Sequence, residues 1–426
     1  MKNFTNFIFK DYAFNPITKS LNLYYSYDGL VDFVESYRFD FDFVEYDQSA
    51  FEKAVFSLFI MAGVSYYKCY LAPKIVIDKG SLSSSEASFF QTVYQKGLGE
   101  FFYKNNLDPK TEINFPVDPV KLTKVSNLDN TGLLIGIGGG KDSIVTTEIL
   151  KDSKEDVATW SLGHIDQLEP LVAVLGMKHY FVLRQWDSSL LKHNDQGAYN
   201  GHIPISAIIA FVGAIVAILS GRGDIVVSNE YSADEPNLSY KGVDINHQYS
   251  KSSEFELAFQ KYLKNDFGDS IRYYSFLRPL SELHISQLFG TKYFDKYSKV
   301  FSSCNNAFTH SRDTMYWCCE CPKCAFVFLA LTPFVDRSKL EGLFGKNLLL
   351  EPNLEMIYMN LLGISGDKPL ECVGEIRESR MAMKLAQSIY PELSKYRFFL
   401  PKDYNYKSLS INHMPKKQYQ LLLNSI

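Results

Sequence analysis

Gly138-Gly139-Gly140-Lys141-Asp142-Ser143 follows an uncharged apolar run, Gly132–Ile137, and precedes a stretch with helical patterning that reaches about Lys151. A buried strand, a glycine bend and a helix start, met in that order, restrict the fold more than any other feature of the chain. Three successive glycines let the backbone approach a ligand closely and take positive φ. The free N–H groups of such a bend and of the helix start make a nest for an anion, favoured by the helix dipole. Ser143 adds a hydroxyl donor and Lys141 a positive charge. Asp142 is placed to cap the helix and to offer oxygen to a magnesium ion. The spacing is neither GxxxxGK[ST] nor GxGxxG. A plain glycine turn joining strand to helix is the alternative to a phosphate cradle.

The flanking pattern is α/β. Strands are expected at 157–162, 178–183 and 224–228, with helices at 170–176 and 203–219 between them. Such alternation predicts a parallel sheet with helices on both faces. Ligands then bind beyond the carboxyl ends of the strands. The second strand ends Thr159-Trp160-Ser161-Leu162-Gly163-His164, which puts Ser161 at that edge. Residues 1–125 read as an α+β domain, a candidate for substrate recognition, with helices expected over 54–67 and 81–105 and a strand at 74–78. Residues 126–345 form the α/β domain and 346–426 a small helical segment. In a chain of 426 residues, two or three domains are expected.

The net charge of −4, without a Lys/Arg block, lacks the footprint of a nucleic-acid binder. The N-terminal residues show no long apolar core of a signal peptide. Ile203–Leu219 is 17 residues without a charge, short of the ~20 a membrane helix needs, and is expected to be a core helix. Five of the seven cysteines lie between 304 and 324, which points to reduced thiols and a cytoplasmic protein.

Cys304, Cys318, Cys321 and Cys324 have the spacing C-x13-C-x2-C-x2-C, suited to a tetrahedral zinc ion. Free thiols are the alternative, and a third reading gives Cys318 or Cys319 a proton-shuttling role. After the fourth strand, Glu230 is the preferred carboxylate for magnesium, against a merely solvated acidic loop. His247 is a candidate general acid or base and Lys251 a contact for phosphate or carboxylate. Tyr199–His202 opens the apolar helix and is placed to face the same cleft. Lys368–Met381 carries Glu371, Glu375, Arg377 and Arg380, read as a salt-bridged surface or an anion site.

The glycine loop resembles the SGGxDS loop of the PP-loop, or N-type ATP pyrophosphatase, superfamily, whose fold is adenine nucleotide alpha hydrolase-like. Gly138 departs from it, standing where that superfamily usually has Ser. The resemblance implies ATP and Mg2+ as cofactors. The loop then holds the pyrophosphate released as AMP is transferred, and the strand end with Ser161 lines the adenine site. A similar cysteine cluster occurs in its 7-cyano-7-deazaguanine synthase branch. Taken in order, GGGKDS, NGHIPIS, SNEYSADEPN, VDINHQYSKSSEFE, WCCECPKCAFVFLAL and ECVGE resemble the UDP-N-acetylmuramoyl-L-alanyl-L-glutamate epimerases of peptidoglycan synthesis. That resemblance implies ATP-dependent inversion of the terminal L-Glu of UDP-MurNAc-L-Ala-L-Glu, with the product passed to a ligase. Asp142, His247, Lys251 and a thiol such as Cys319 are the expected catalytic groups. Two other readings are a tRNA- or nucleobase-modifying enzyme of the same superfamily and a non-catalytic nucleotide-binding or membrane-associated regulator.

Overall fold

The computed structural model describes residues 3–118, 128–308 and 315–426. The expected boundary at 125/126 lies outside the described residues. Eleven strands are found among the described residues. In chain order they are β1 (Asn6–Asn15), β2 (Ser20–Tyr27), β3 (Val31–Asp40), β4 (Lys74–Ile77), β5 (Leu133–Gly136), β6 (Val157–Leu162), β7 (His179–Gln185), β8 (Asp224–Val227), β9 (Leu238–Tyr240), β10 (Val243–Ile245) and β11 (Arg272–Ser275).

Nine of them make one sheet in the order β11-β8-β5-β6-β7-β3-β2-β1-β4, while β9 and β10 pair as a hairpin. The five strands from β11 to β7 are mutually parallel. The chain runs from β5 through β6 to β7 on one side, then returns to place β8 and β11 on the other. Strand order therefore reverses between β5 and β8, and a ligand crevice is expected beyond the carboxyl ends there. The glycine loop leaves β5 at that point.

The N-terminal strands extend this same sheet. β1, β2 and β3 form an antiparallel meander, and β3 pairs antiparallel with β7 from Ser36↔Gln185 to Asp40↔Phe181. The turn between β2 and β3 holds Asp28 at φ 52° and Gly29 at φ 70°. Asp-Gly is the pair that tolerates those angles in a tight hairpin. Buried Glu35 on β3 accepts from Arg184 of β7 at 2.8 Å, which ties the two halves of the sheet together.

One core covers one face. It joins aromatic residues of β1–β3 to the helices Gln48–Ala62, Ile205–Ser220 and Ser253–Phe267. The abundant tyrosines serve this core because their hydroxyls find carbonyls inside it: Tyr25 donates to Phe59 at 2.9 Å and Tyr27 to Tyr67 at 2.6 Å. Ile205–Ser220 is apolar nearly all round because it is buried nearly all round. Among the described residues, no helix is long and apolar enough to cross a membrane. The second core, on the other face, joins the helix Lys141–Lys151 to Pro322–Leu331, Ile376–Gln387 and the rest of the C-terminal segment.

Three expected helices differ in extent; the one expected over 170–176 runs Ile165–Leu175, with Pro170 inside it. The stretch 81–105 is two helices, Ser84–Gly97 and Gly99–Lys104, and the stretch 54–67 is also split, ending as Val64–Tyr67. Gly63 stands between the two pieces, where a Cβ would meet the Phe9 ring at 2.4 Å.

Candidate active site

A cavity of about 1010 Å³ opens beyond β5, β6 and β8. Gly138, Gly140, Asp142 and Ser143 line one side of it, and Trp160 to His164 the next. Gly139 stands at φ 85° and its carbonyl accepts from the Ser302 N–H at 3.0 Å, so it faces away from the cavity and fixes the bend. A Cβ at Gly140 would lie 2.9 Å from the Ser303 hydroxyl. At Gly138 a Cβ would meet nothing within 4 Å, so the backbone there borders open space. Ser143 donates to the Gly140 carbonyl at 3.0 Å, closing the first turn. Ser161 shares a hydrogen bond with His179 Nε2 at 3.0 Å; burial lowers that imidazole to about 4, which keeps it neutral.

Two loop residues sit differently from expectation. The helix is capped by Gly140, not by Asp142, which lies in the first turn. The cap is the residue before the first helical one, a place Gly140 holds. Lys141 does not line the cavity. It is buried and donates to Asp142 at 2.5 Å and to Glu282 at 2.9 Å. Burial opposes its charge, but the two carboxylates outweigh that and hold it protonated. Its charge therefore acts from behind Asp142.

Buried Glu230 and Glu282 meet half-buried Asp142 here. Burial and the charges of its neighbours Glu282 and Asp142 raise Glu230 to about 7. Asp142 is raised by burial and by Glu282, against Lys141 and Lys323. Glu282 Oε2 has no hydrogen-bond partner among the described residues. Mutually repelling carboxyls with an orphaned oxygen are a donor set that fits a hard divalent cation. Arg278 fixes this corner from beneath: it pairs with buried Glu256 at 2.8 Å and donates to the carbonyls of Glu230 at 2.7 Å and Lys251 at 2.6 Å.

Lys251, Lys323 and Cys372 also line the cavity, with Lys323 Nζ 3.8 Å from the Glu282 carboxylate. Lys251 Nζ lies 3.1 Å from the Cys372 sulfur. His247 lies beside Cys372 and, through Nδ1, hydrogen-bonds the Glu100 carboxylate. His202 stands beside it, with ring centroids 4.5 Å apart. Burial works against a charge on Cys372, but Lys251, His247 and Lys323 outweigh it and bring the thiol down to about 5. Burial likewise opposes a charge on His247, yet Cys372 and Glu100 lift it to about 9. Thiolate and imidazolium thus support each other.

Cys304, Cys318, Cys321 and Cys324 converge as the spacing predicts, with all four sulfurs within 4.8 Å of one another. That geometry suits a tetrahedral thiophilic ion. Cys319 does not join them or the cavity. At φ 60° its side chain turns the other way and donates to the Phe344 carbonyl at 3.3 Å. Cys372 was not singled out by sequence reasoning, although it sits in the ECVGE segment and, with Cys69, is one of two cysteines outside the stretch 304–324. Glu100 gave no signal at all, since it lies in a short helix of the region read as chemically silent.

The MurL N-terminal domain family matches residues 1–276, and the MurL C-terminal domain family matches residues 300–395. A UDP-N-acetyl-alpha-D-muramoyl-L-alanyl-L-glutamate epimerase of Xanthomonas oryzae pv. oryzae is 39% identical over 343 residues, covering 80% of this chain and 76% of that protein. Relatives of the same name from a Micromonospora species and from Salinispora tropica are each 39% identical over 330 residues, 77% of this chain and 73% and 72% of theirs. With most of its length covered by both comparisons, the chain belongs to the MurL family.

Proposed function

We propose that this chain inverts the terminal L-Glu of UDP-MurNAc-L-Ala-L-Glu to D-Glu, consuming ATP and releasing AMP and pyrophosphate. The observation that carries this reading is that one cavity is walled both by a phosphate-ready glycine loop and by a cluster of titratable groups beside Cys372. An α-proton next to a carboxylate is very weakly acidic, because its loss would build a second negative charge. Adenylation removes the first charge, so a side-chain base becomes sufficient. One half of the cavity then serves the nucleotide and the other the α-carbon.

In this reading Gly138, Gly140 and Ser143 hold the departing diphosphate, and Trp160 and Ser161 border the adenine. Asp142 and Glu230 hold Mg2+, which neutralises the phosphate charge. Lys251 and Lys323 face the glutamyl carboxyl and stabilise enolate charge as it develops. The four clustered thiols hold a structural zinc that ties Cys304 and Cys318 to the start of the helix Pro322–Leu331. The nucleotide-linked substrate and ATP place the reaction in the cytoplasm, with a ligase taking the product.

Purified protein incubated with ATP, Mg2+ and UDP-MurNAc-L-Ala-L-Glu should yield AMP and a D-configured glutamate after acid hydrolysis. AMP formed only with tRNA or a deazapurine would replace this reading with nucleobase modification, and no turnover with any of these would leave a nucleotide-binding regulator.

A further inference from the structure

Building on the epimerase reading, we propose that the sulfur of Cys372 takes the proton from the glutamyl α-carbon, with Lys251 and the Glu100-backed His247 as its positioning residues. Cys372 is the only thiol on the cavity wall among the described residues. The other cysteines are committed elsewhere or buried: four to one another, Cys319 to the Phe344 carbonyl, and Cys69 in the first core.

The segment around Cys372 is held firmly. Glu371 accepts from the Lys323 N–H at 3.0 Å, and the Lys323 amino group donates to the Cys372 carbonyl. This anchors the thiol to the start of the helix Pro322–Leu331. Lys251 approaches the sulfur from a turn whose carbonyl Arg278 clamps. His247 approaches from the segment after β10, its ring fixed by Glu100 of the helix Gly99–Lys104. The groups facing the sulfur are thus two lysines and an imidazole, with Glu371 adjacent, Glu230 behind Lys251, and Glu100 and His202 behind His247. A thiolate among cations is a base that is already ionised at neutral pH, and it needs no second group to activate it.

The step balances simply. The Cα–H bond breaks and an S–H bond forms on Cys372. The electron pair left on carbon moves into the adjoining acyl carbonyl as an enolate, against the charges of Lys251 and Lys323. A solvent-derived proton delivered from the opposite face completes the inversion. Cys372 then loses its proton to solvent. Because the step converts thiolate into neutral thiol, it moves negative charge toward the lysines instead of adding to it.

The test runs in deuterated water with ATP, Mg2+ and the UDP-dipeptide. In Cys372→Ala, pyrophosphate exchange into ATP should persist, while deuterium entry at the glutamyl α-carbon falls by about 10²- to 10⁴-fold, the usual worth of a positioned acid or base. Persistent deuterium entry in that variant, beside an active wild type, overturns the assignment alone. A wild type that makes no AMP overturns the epimerase reading and this assignment with it. Should the variant fail to fold, iodoacetamide on the wild type gives the answer: alkylation mapped to Cys372 should abolish deuterium entry and follow a midpoint near pH 5. In His247→Asn and Lys251→Met the midpoint should rise by about one unit or more, since each removes a cation or donor beside the sulfur. A wild-type midpoint of about 8.5, that of a free thiol, would overturn it.

Discussion

The glycine loop and the Cys372 corner face one cavity and are built in opposite ways. The loop is six consecutive residues, and the anion binding proposed for it rests on backbone N–H groups set by one strand and one helix. The corner draws Glu100, His247, Lys251, Lys323 and Cys372 from across 273 positions of the chain, and its chemistry lies in side-chain charges. The first kind of site depends on local conformation; the second depends on the whole fold closing correctly. Each should therefore be separable from the other by substitution.

Asp142→Ala is the strongest way to divide them. Removing its carboxylate should lower AMP formation on the order of 10³-fold, as losing an electrostatic stabiliser of the transferring group does. Alkylation of Cys372 should keep its pH midpoint, because Lys251, His247 and Lys323 remain. A midpoint that moves with Asp142 would show that the two halves are one electrostatic unit.

The clustered thiols sharpen the contrast from another side. Cys304, Cys318, Cys321 and Cys324 neighbour one another, so charge on one disfavours charge on the next, whereas Cys372 has cations. Only a bound metal can hold several of the four as thiolates. Elemental analysis should find one zinc per chain. Cys321→Ser should weaken zinc retention against a chelator by about 100-fold, at least the effect of losing an outer-shell partner. A metal-free protein with full activity would remove the structural role assigned to that knot.

How much of this was legible follows from locality. The strands β5, β6, β7 and β8, the glycine bend and the C-x13-C-x2-C-x2-C set were all visible, because each is carried by a short run with a fixed spacing. The N-terminal meander was missed although Asp28-Gly29 marks its hairpin. Its aromatic strands place Phe and Tyr on the buried face, but the irregularity between Phe9 and Asp11 in β1 and the run Leu23-Tyr24-Tyr25 in β2 break the alternation. Its fusion to β7 through Glu35 and Arg184 joins residues 149 apart, which no local pattern encodes. His247 and Lys251 were found as polar residues near a helix start, while their partners Glu100 and Cys372 were not. Lys141 was expected to face the ligand, and only Glu282, 141 residues away, turns it inward.

Within the loop itself, backbone strain gives a smaller effect than charge. Gly139 sits at φ 85° with the Phe308 ring 2.7 Å from where a Cβ would stand. Gly139→Ala should cost roughly 1–2 kcal/mol of loop conformation, the penalty of left-handed backbone for a residue with Cβ. That corresponds to about 5- to 30-fold weaker ATP binding, readable by isothermal titration, with Cys372 alkylation unchanged. An equal loss at both sites would mean that the loop supports the corner as well as the nucleotide.

Gly138→Ser should do least. A Cβ there meets nothing within 4 Å, and the residue does not need the left-handed region. The PP-loop resemblance puts a serine hydroxyl at this place, so the substitution restores a donor without crowding the bend. If backbone N–H groups already carry the diphosphate, one added hydroxyl changes a set of donors that is complete, and AMP formation should stay within about twofold, since an uncrowded surface change is worth about 0.5 kcal/mol. A gain of tenfold or more would mean the loop lacks a contact that a serine side chain can supply. A loss of that size would mean the open space beside Gly138 is where substrate lies, and that the nucleotide and glutamyl halves of the cavity meet at this residue.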